Sequence, residues 1–424
     1  MFHTLTSFHH LFQSYQAAAK GKRGLPEVAH FELDLENHLL HIKEQLAQHK
    51  WAHKPYSSFE IHDPKRRLVS AAAFEDRVVH HALVRVIEPL FEAVFLPHSF
   101  ANRKGKGTHR AIAKAKGHAQ EQPFVLQCDL KQFFASVDHE ILMHLLAQRI
   151  SCERTLELAK NILQSGNGIL HERYDMVHFE GDDLFAANRP RGLPIGNLTS
   201  QFWANVLLYE LDDFVVNQLG CDAYVRYVDD FLLFSNDKKQ LWRFKTAIRE
   251  KLASLRLAMH EASSTVYPVK NGIPFLGMRV WPETVKLKSR NARAFESRLR
   301  KMQKAVAAGQ MSLAEVQTRI AGWVAHASQA NSWALRRDIF KNTASQPPSI
   351  QANPPILEST DENPYQYHAS RPRPPAAPAP RPLKHPCSAK PTICSIGSRQ
   401  SPSNSRAASA SSAPPPCSKP AKSF

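Results

Sequence analysis

Two acidic residues, Asp229 and Asp230, interrupt the apolar stretch YVRYVDDFLLF between Tyr224 and Phe234. Val, Tyr, Phe and Leu favour a pleated, half-buried strand, and Asp is depleted there. The stretch therefore reads as two strands with both carboxylates at the bend, held stiffly at the rim of a hydrophobic sheet. Adjacent carboxylates repel, and Mg²⁺ bound by one or two carboxylates plus substrate phosphates is the usual reason to bring them together. Two other Asp-Asp steps lack strand sequence on both sides. Asp182 and Asp183 follow Gly181 in a polar stretch and read as a solvated loop. Asp212 and Asp213, in LLYELDDFVV, read as the wet face of a helix.

A third carboxylate lies one hundred positions before Asp229, in PFVLQCDLKQFFASVDHEIL. Phe124 to Leu126 read as a buried strand with Asp129 at its end; taken alone, Asp129 is also consistent with a strand-end turn. Asp138 suits the N-cap of a helix over Glu140 to Leu146. A strand ending in Asp beside a hairpin bearing two more makes a three-carboxylate cluster. Two Mg²⁺ ions about 3.5–4 Å apart at such a cluster clamp an in-line phosphoryl displacement. That chemistry is mostly positioning and charge neutralisation, so it asks for carboxylates, bases for the phosphates and little else.

These motifs resemble those of reverse transcriptases. Tyr227-Val228-Asp229-Asp230 is similar to the family's catalytic box, and Asp129 with Phe134 five residues on resembles its first metal-ligand motif and sugar-screening aromatic. KRRLVSAAAFEDRVVHHAL (Lys65 to Leu83) and SFANRKGKGTHRAI (Ser99 to Ile112) resemble fingers motifs, and PFLGMRVWP (Pro274 to Pro282) a primer-grip hairpin. The likeness runs through most of residues 20–340. It implies two Mg²⁺ ions, with Mn²⁺ as a substitute, on Asp129, the Leu130 backbone, Asp229 and Asp230. Lys65 and Arg67 would meet the incoming triphosphate. Phe134 would crowd a ribose 2′-OH and favour deoxynucleotides. The loop of Arg103 and Lys104, with Tyr227 and the Phe275-Leu276-Gly277 tip, would meet template or primer. For Arg77 an ion pair with Glu75 or Asp76 is an equal reading.

RGLPIGNLTSQFWAN (Arg191 to Asn205) has Ile195-Gly196 followed by Ser200-Gln201, where most reverse transcriptases carry Gln-Gly and Ser-Pro. The substituted form resembles the enzymes of diversity-generating retroelements, which copy a template RNA with errors concentrated at adenines. There Ile195 would remove a polar contact from the nucleotide pocket, and an apolar wall discriminates poorly. Gly196 would let backbone approach the ligand closely. The alternative is that Ile195 packs in the core before a helix. The resemblance also implies a primer, cDNA, dNTPs and a small basic accessory protein. A retron or defence-type reverse transcriptase shares the same motifs. An RNA-binding maturase or scaffold without polymerisation is the reading from another class.

A formal charge of +17 and a pI near 9.7 suit a polyanion partner. No stretch approaches the roughly 18–20 apolar residues of a membrane helix, and the first residues lack a signal peptide's charged start and apolar core. The cysteines show no Cys-x-x-Cys pairing, which argues against a zinc site or a disulfide framework and for a reducing cytoplasm. None of the 22 histidines falls in a His-Glu-x-x-His pattern.

The expected fold class is α+β: a right-hand polymerase of fingers, palm and thumb with an antiparallel palm sheet, plus a disordered C-terminal tail. N-terminal helices and fingers occupy 1–120, including one helix over Phe31 to Gln48. A first palm segment covers 121–150, a loop-rich insertion 151–192, and the second palm segment with the acidic hairpin 193–285. Two thumb helices over 286–343 meet near Gly309 to Ser312, with an apolar stripe of Phe295, Leu299, Met302 and Val306. Their Arg293, Arg298, Arg300, Lys301 and Lys304 suit a duplex backbone. Residues 344–424, dominated by Ala, Ser and Pro, hold too few apolar side chains to offset chain entropy.

Overall fold

The computed structural model describes residues 1–62 and 66–344. Lys65 and the tail from residue 345 lie outside the described residues. The chain begins with helices Phe2–Leu5, Phe8–Ala19, Pro26–Leu33 and Leu35–Ala47. The single helix expected over 31–48 is thus two, broken where Asp34 leaves helical geometry (φ −135°, ψ 50°). Leu39, Ile42 and Leu46 follow helical spacing and are buried. They pack beneath helix Phe74–Glu92, whose Val78, Val79, Ala82, Leu83, Ile87 and Phe91 are also buried.

Strands β1 (Ser57–Ile61) and β2 (Arg67–Ala71) form an antiparallel hairpin. The central sheet contains β3 (Phe124–Cys128), β4 (Tyr224–Tyr227), β5 (Asp230–Ser235) and β6 (Thr265–Pro268), in the spatial order β4-β5-β3-β6 and antiparallel throughout. A second sheet of three antiparallel strands follows: β7 (Ile273–Phe275), β8 (Met278–Val280) and β9 (Val285–Leu287).

The central sheet is buried on both faces, which explains its nearly continuous apolar runs. Successive side chains of a strand alternate between faces. Leu126, Cys128, Tyr224, Phe231 and Leu233 join one core, shared with helices Phe74–Glu92, Leu198–Asp213 and Lys238–Ser254. Val125, Val225, Leu232 and Phe234 join a second core with the β7–β9 sheet and helices Thr108–Glu121 and Ser289–Ala307.

Local signals behave as the chemistry dictates. Asp138 caps helix His139–Ala147 by accepting from the Glu140 and Ile141 amides. Ser312 and Glu315 form a reciprocal capping box at the start of helix Leu313–Ala327. Two expectations change. The 151–192 segment opens with a 13-residue helix, Glu153–Ser165, before its loops. The C-terminal region has three helices, adding Trp333–Ala344 to Ser289–Ala307 and Leu313–Ala327. Phe295 stacks on Trp323 with ring centroids 3.7 Å apart, joining the first two. Among the described residues no helix is long and apolar enough to cross a membrane.

Burial places many imidazoles in the folded chain below their ordinary range. It takes His81 and His118 down to about 4 and lowers His80 well below its ordinary value, and the same cause lowers His53, His98 and His139. Asp76 and Asp230 act in the opposite sense, because burial pushes their carboxyls up to about 6 and about 7, but they are outnumbered by the six histidines. Below about pH 6.5 the unfolded chain binds protons at these histidines that the fold refuses, so stability rises with pH across that window. The melting temperature should fall by several degrees between pH 7.5 and pH 5, and His118→Gln should reduce the slope. A Tm independent of pH over that range would show that these rings are solvated.

Candidate active site

The acidic hairpin is a tight one. The β4–β5 register ends at Tyr227 opposite Asp230, leaving Val228 and Asp229 as the two-residue turn. Val228 has φ +58°, a left-handed conformation that is rare for a β-branched residue and costs about 1–2 kcal/mol. Directly inside the turn, the fully buried Arg226 donates from Nη1 to the Val228 carbonyl at 3.1 Å. Its Nε and Nη2 grip the two Asp212 carboxylate oxygens at 2.6 Å each, and Nη1 also reaches Asn205 Oδ1 at 3.2 Å. Tyr224 Oη donates to the same Asp212 at 2.9 Å. Asp212, expected on the wet face of its helix, is therefore 1% exposed and the anchor of the hairpin. A signal existed for both residues. Asp212 lies in the Leu208–Leu211–Val215 apolar stripe, and Arg226 stands in a buried strand, where a charge demands a partner.

Asp129 follows β3, whose Cys128 pairs with Phe231 of β5. One step further along that antiparallel register brings Asp129 level with Asp230. Its backbone is fixed by His260 N–H donating to the Asp129 carbonyl and Lys131 N–H to the Ala258 carbonyl, both at 2.8 Å. Between them Leu130 bridges Met259, its side chain buried. All three carboxylates are half-buried. Burial pushes the Asp230 carboxyl up to about 7; Asp129 and Asp229 add to the rise, while Gln127 and Lys288 oppose it. Gln127 was not foreseen from sequence. Its Nε2 lies 3.5 Å from Asp230 Oδ1 and donates to the Pro274 carbonyl at 3.0 Å, while its Oε1 accepts from Tyr267 Oη at 2.8 Å.

Among the described residues, no three His, Cys, Asp or Glu side chains already converge as a metal-binding group. The donor chemistry of the three aspartates nevertheless suits a hard cation. It is all oxygen, and a divalent ion would offset both the burial and the neighbouring charges that raise Asp230.

Around the carboxylates, Phe134 lies half-buried on the short helix Phe133–Ser136, edge-on to Phe133 with centroids 5.3 Å apart. The Phe134 carbonyl accepts from Leu193 N–H at 2.7 Å, which draws the 193–197 segment alongside. That segment joins β2: the Ile195 carbonyl accepts from Ser70 N–H at 2.8 Å, and Asn197 bonds the Ser70 carbonyl and the Ala72 amide. Half-buried Ile195 is thereby brought beside the strand opened by the exposed Arg67. Gly196, at φ +116°, would place a Cβ only 2.9 Å from Val69 Cγ1. Glycine is thus required there by its backbone conformation and by the closeness of β2.

The model of the family described as reverse transcriptase (RNA-dependent DNA polymerase) matches residues 57–280, from the first residue of β1 to the last of β8 and just over half the chain. The chain belongs to the reverse transcriptase family. Protein YkfC of Escherichia coli K12 is 25% identical over 271 residues, covering 54% of this chain and 68% of YkfC. Group II intron-encoded protein LtrA of Lactococcus lactis subsp. cremoris is 26% identical over 204 residues, covering 46% of this chain and 31% of LtrA. A solved apo telomerase from Candida tropicalis, truncated from its C-terminal domain, aligns with a TM-score of 0.39 at 12% identity, covering 58% of this chain and 59% of that one.

Several polar residues of this reverse transcriptase domain have structural work where the sequence suggested ligands or solvent. Arg103, expected on template or primer, has a side chain only 6% exposed. Its donors are consumed by Glu92, the Leu96 carbonyl and Ser99 Oγ. Lys104 beside it is 92% exposed, 3.4 Å from Glu88. Phe275 is fully buried in the second core. The β7–β8 turn is made by Leu276 (φ +46°) and Gly277 (φ +83°), whose carbonyl accepts from Asn291 Nδ2 at 3.1 Å. Half-buried Tyr227 accepts from Thr108 Oγ1 at 3.0 Å. Arg77 pairs with Glu27 at 2.7 Å, not with Glu75 or Asp76. Asp182 is no solvated loop residue: Arg256 binds both its oxygens, and it accepts from the Phe179 amide.

Arg103→Ala should lower the melting temperature, since an unpartnered buried group costs about 1–3 kcal/mol. It should leave the salt dependence of RNA binding unchanged. Lys104→Ala should do the reverse, keeping Tm and reducing the salt slope by up to about 1 if it meets a phosphate. Parallel thermal melts and binding titrations at several salt concentrations measure both; a changed salt slope for a well-folded Arg103→Ala protein would restore its assignment to nucleic acid.

Proposed function

We propose that this chain is an RNA-directed DNA polymerase, extending a primer with dNTPs along a template RNA. The observation that carries the reading is the placement of Asp129 at the end of β3, level with Asp230 at the start of β5, and of Asp229 in the β4–β5 turn, within reach of one another's charge, inside the segment that matches the reverse transcriptase family. Asp129, Asp229 and Asp230, with the Leu130 carbonyl, would hold two Mg²⁺ ions, or Mn²⁺ in their place. Bound there, such ions activate a primer 3′-OH and neutralise the departing pyrophosphate. Gln127 holds the Asp230 side of the cluster against the β7–β8 hairpin.

In this reading β1, β2 and the N-terminal helices are fingers, the central sheet is the palm, and Leu276 and Gly277 form a primer-contacting tip. Arg67 meets the triphosphate and Phe134 the sugar. The C-terminal helices are a thumb. Arg290, Arg293, Arg298, Arg300, Lys301 and Lys304 are exposed opposite the buried Ala292, Phe295, Leu299 and Met302, as a helix lying along a duplex backbone requires. Ile195, on the segment joined to β2, supports the finer assignment to an error-prone, diversity-generating type; a basic accessory protein is implied by the resemblance alone. Similarity to intron-encoded proteins such as LtrA favours a second reading, an RNA-binding maturase.

Asp229→Ala or Asp129→Ala should abolish Mg²⁺-dependent dNTP incorporation on an RNA template while leaving RNA binding intact, a loss of about 10²–10³ or more. Near wild-type synthesis by Asp229→Ala would sink the carboxylate assignment, and RNA binding without synthesis by the wild type would select the maturase.

Ile195→Gln should raise accuracy, most clearly opposite template adenine. One added hydrogen bond is worth about 0.5–1.5 kcal/mol, so the gain is several-fold at most. Sequencing of cDNA made from one defined RNA by both proteins, scored base by base, measures it. An unchanged adenine error rate in an active variant would place infidelity elsewhere.

A further inference from the structure

We infer that Arg226 is a positioning residue, whose guanidinium fixes the Val228–Asp229 turn in the one backbone conformation that presents Asp229 and Asp230 together. The inference rests on the carboxylate reading above and adds a residue that touches neither nucleotide nor metal.

Three observations converge on it. The turn is strained at a defined atom, since Val228 holds φ +58°, where its branched Cβ crowds the backbone. Strain persists only where surroundings over-determine it. Here the constraint is the 3.1 Å bond from Arg226 Nη1 to the Val228 carbonyl. The guanidinium cannot turn to follow the carbonyl. Asp212 holds Nε and Nη2 in a two-point grip, and Asn205 holds Nη1. Asn205 is itself fixed by donating to the Ala101 carbonyl at 2.9 Å. Arg226 also bonds through its main chain, its amide to the His98 carbonyl and its carbonyl to the Phe100 amide, both at 2.9 Å. The turn is thus referenced to helix Leu198–Asp213 and to the 98–101 segment as well as to its own strands.

A planar fork can serve Asp212, Asn205 and the turn carbonyl at once, whereas a lysine ammonium is a point charge. Arg226→Lys should therefore keep the charge pair and the fold but lose the turn. Expected are a tenfold or greater fall in kcat per folded molecule with little change in KM for dNTP. Mn²⁺ affinity, followed by electron paramagnetic resonance of the protein without nucleic acid, should weaken several-fold. Glycine adopts a positive φ without strain, so adding Val228→Gly to Arg226→Lys should recover at least threefold of the lost rate and part of the Mn²⁺ affinity. A purely structural Arg226 would show a lower Tm with unchanged kcat and Mn²⁺ affinity, and no recovery with glycine; that result overturns the inference. Should Arg226→Lys fail to fold, Asn205→Ala loosens Nη1 while leaving the Asp212 pair, and is expected to move kcat and Mn²⁺ affinity in the same direction by about threefold. Wild-type values for a folded Asn205→Ala would likewise overturn it. If the wild type itself makes no cDNA, the polymerase reading fails, while the Mn²⁺ titrations still decide the role of Arg226.

Discussion

The buried pair of Arg226 and Asp212 is the constraint on which the rest of the site depends. Taking two charges out of water costs several kcal/mol per ion, and mutual attraction offsets this only with good geometry and full satisfaction of the remaining donors and acceptors. Both conditions are met: a two-point grip at 2.6 Å, Tyr224 on the carboxylate, and Asn205 and the Val228 carbonyl on the guanidinium. A satisfied buried network of this kind contributes more to uniqueness than to raw stability. It admits one placement of helix Leu198–Asp213 against β4, and that placement sets where the acidic turn points.

The second constraint is the double burial of the central sheet. With a core on each face, β3 and β5 cannot slip by one residue without exchanging Leu126 and Cys128 for Val125 and Gln127. Register is therefore fixed by packing far from the carboxylates, and Asp129 comes level with Asp230 as a consequence. Gln127 is the exception within its strand: a polar side chain on the second face, kept there by Tyr267, Pro274 and Asp230. It ties the central sheet to the β7–β9 sheet beside Asp230, whose carboxyl burial pushes up to about 7.

The same logic separates the basic residues paired inside the fold from those at its surface. Arg77, Arg103, Arg189, Arg226 and Arg256 all close ion pairs within the fold. The exposed cations along helix Ser289–Ala307 lie opposite a buried stripe, with Arg300 paired to Glu296 on the same surface. Net charge by itself could not make this division, because it counts both kinds alike.

Legible from sequence alone were features encoded locally: the acidic bend between apolar strands, the strand ending at Asp129, the Asp138 cap, the break near Gly309 to Ser312 and the apolar stripe of the helix before it. Each depends on near neighbours, through strand alternation, helical spacing or turn chemistry. Tertiary structure decided the rest. The Asp-Asp steps at 182, 212 and 229 look alike as dipeptides, yet one carboxylate is held by Arg256, one by Arg226, and one stands in a strained turn. Whether Arg103 is left open or closes on Glu92, and which strand crowds Gly196, depends on which distant segment arrives beside it. A charge or a glycine states only that a partner or a space is required; the packing of the whole chain chooses which.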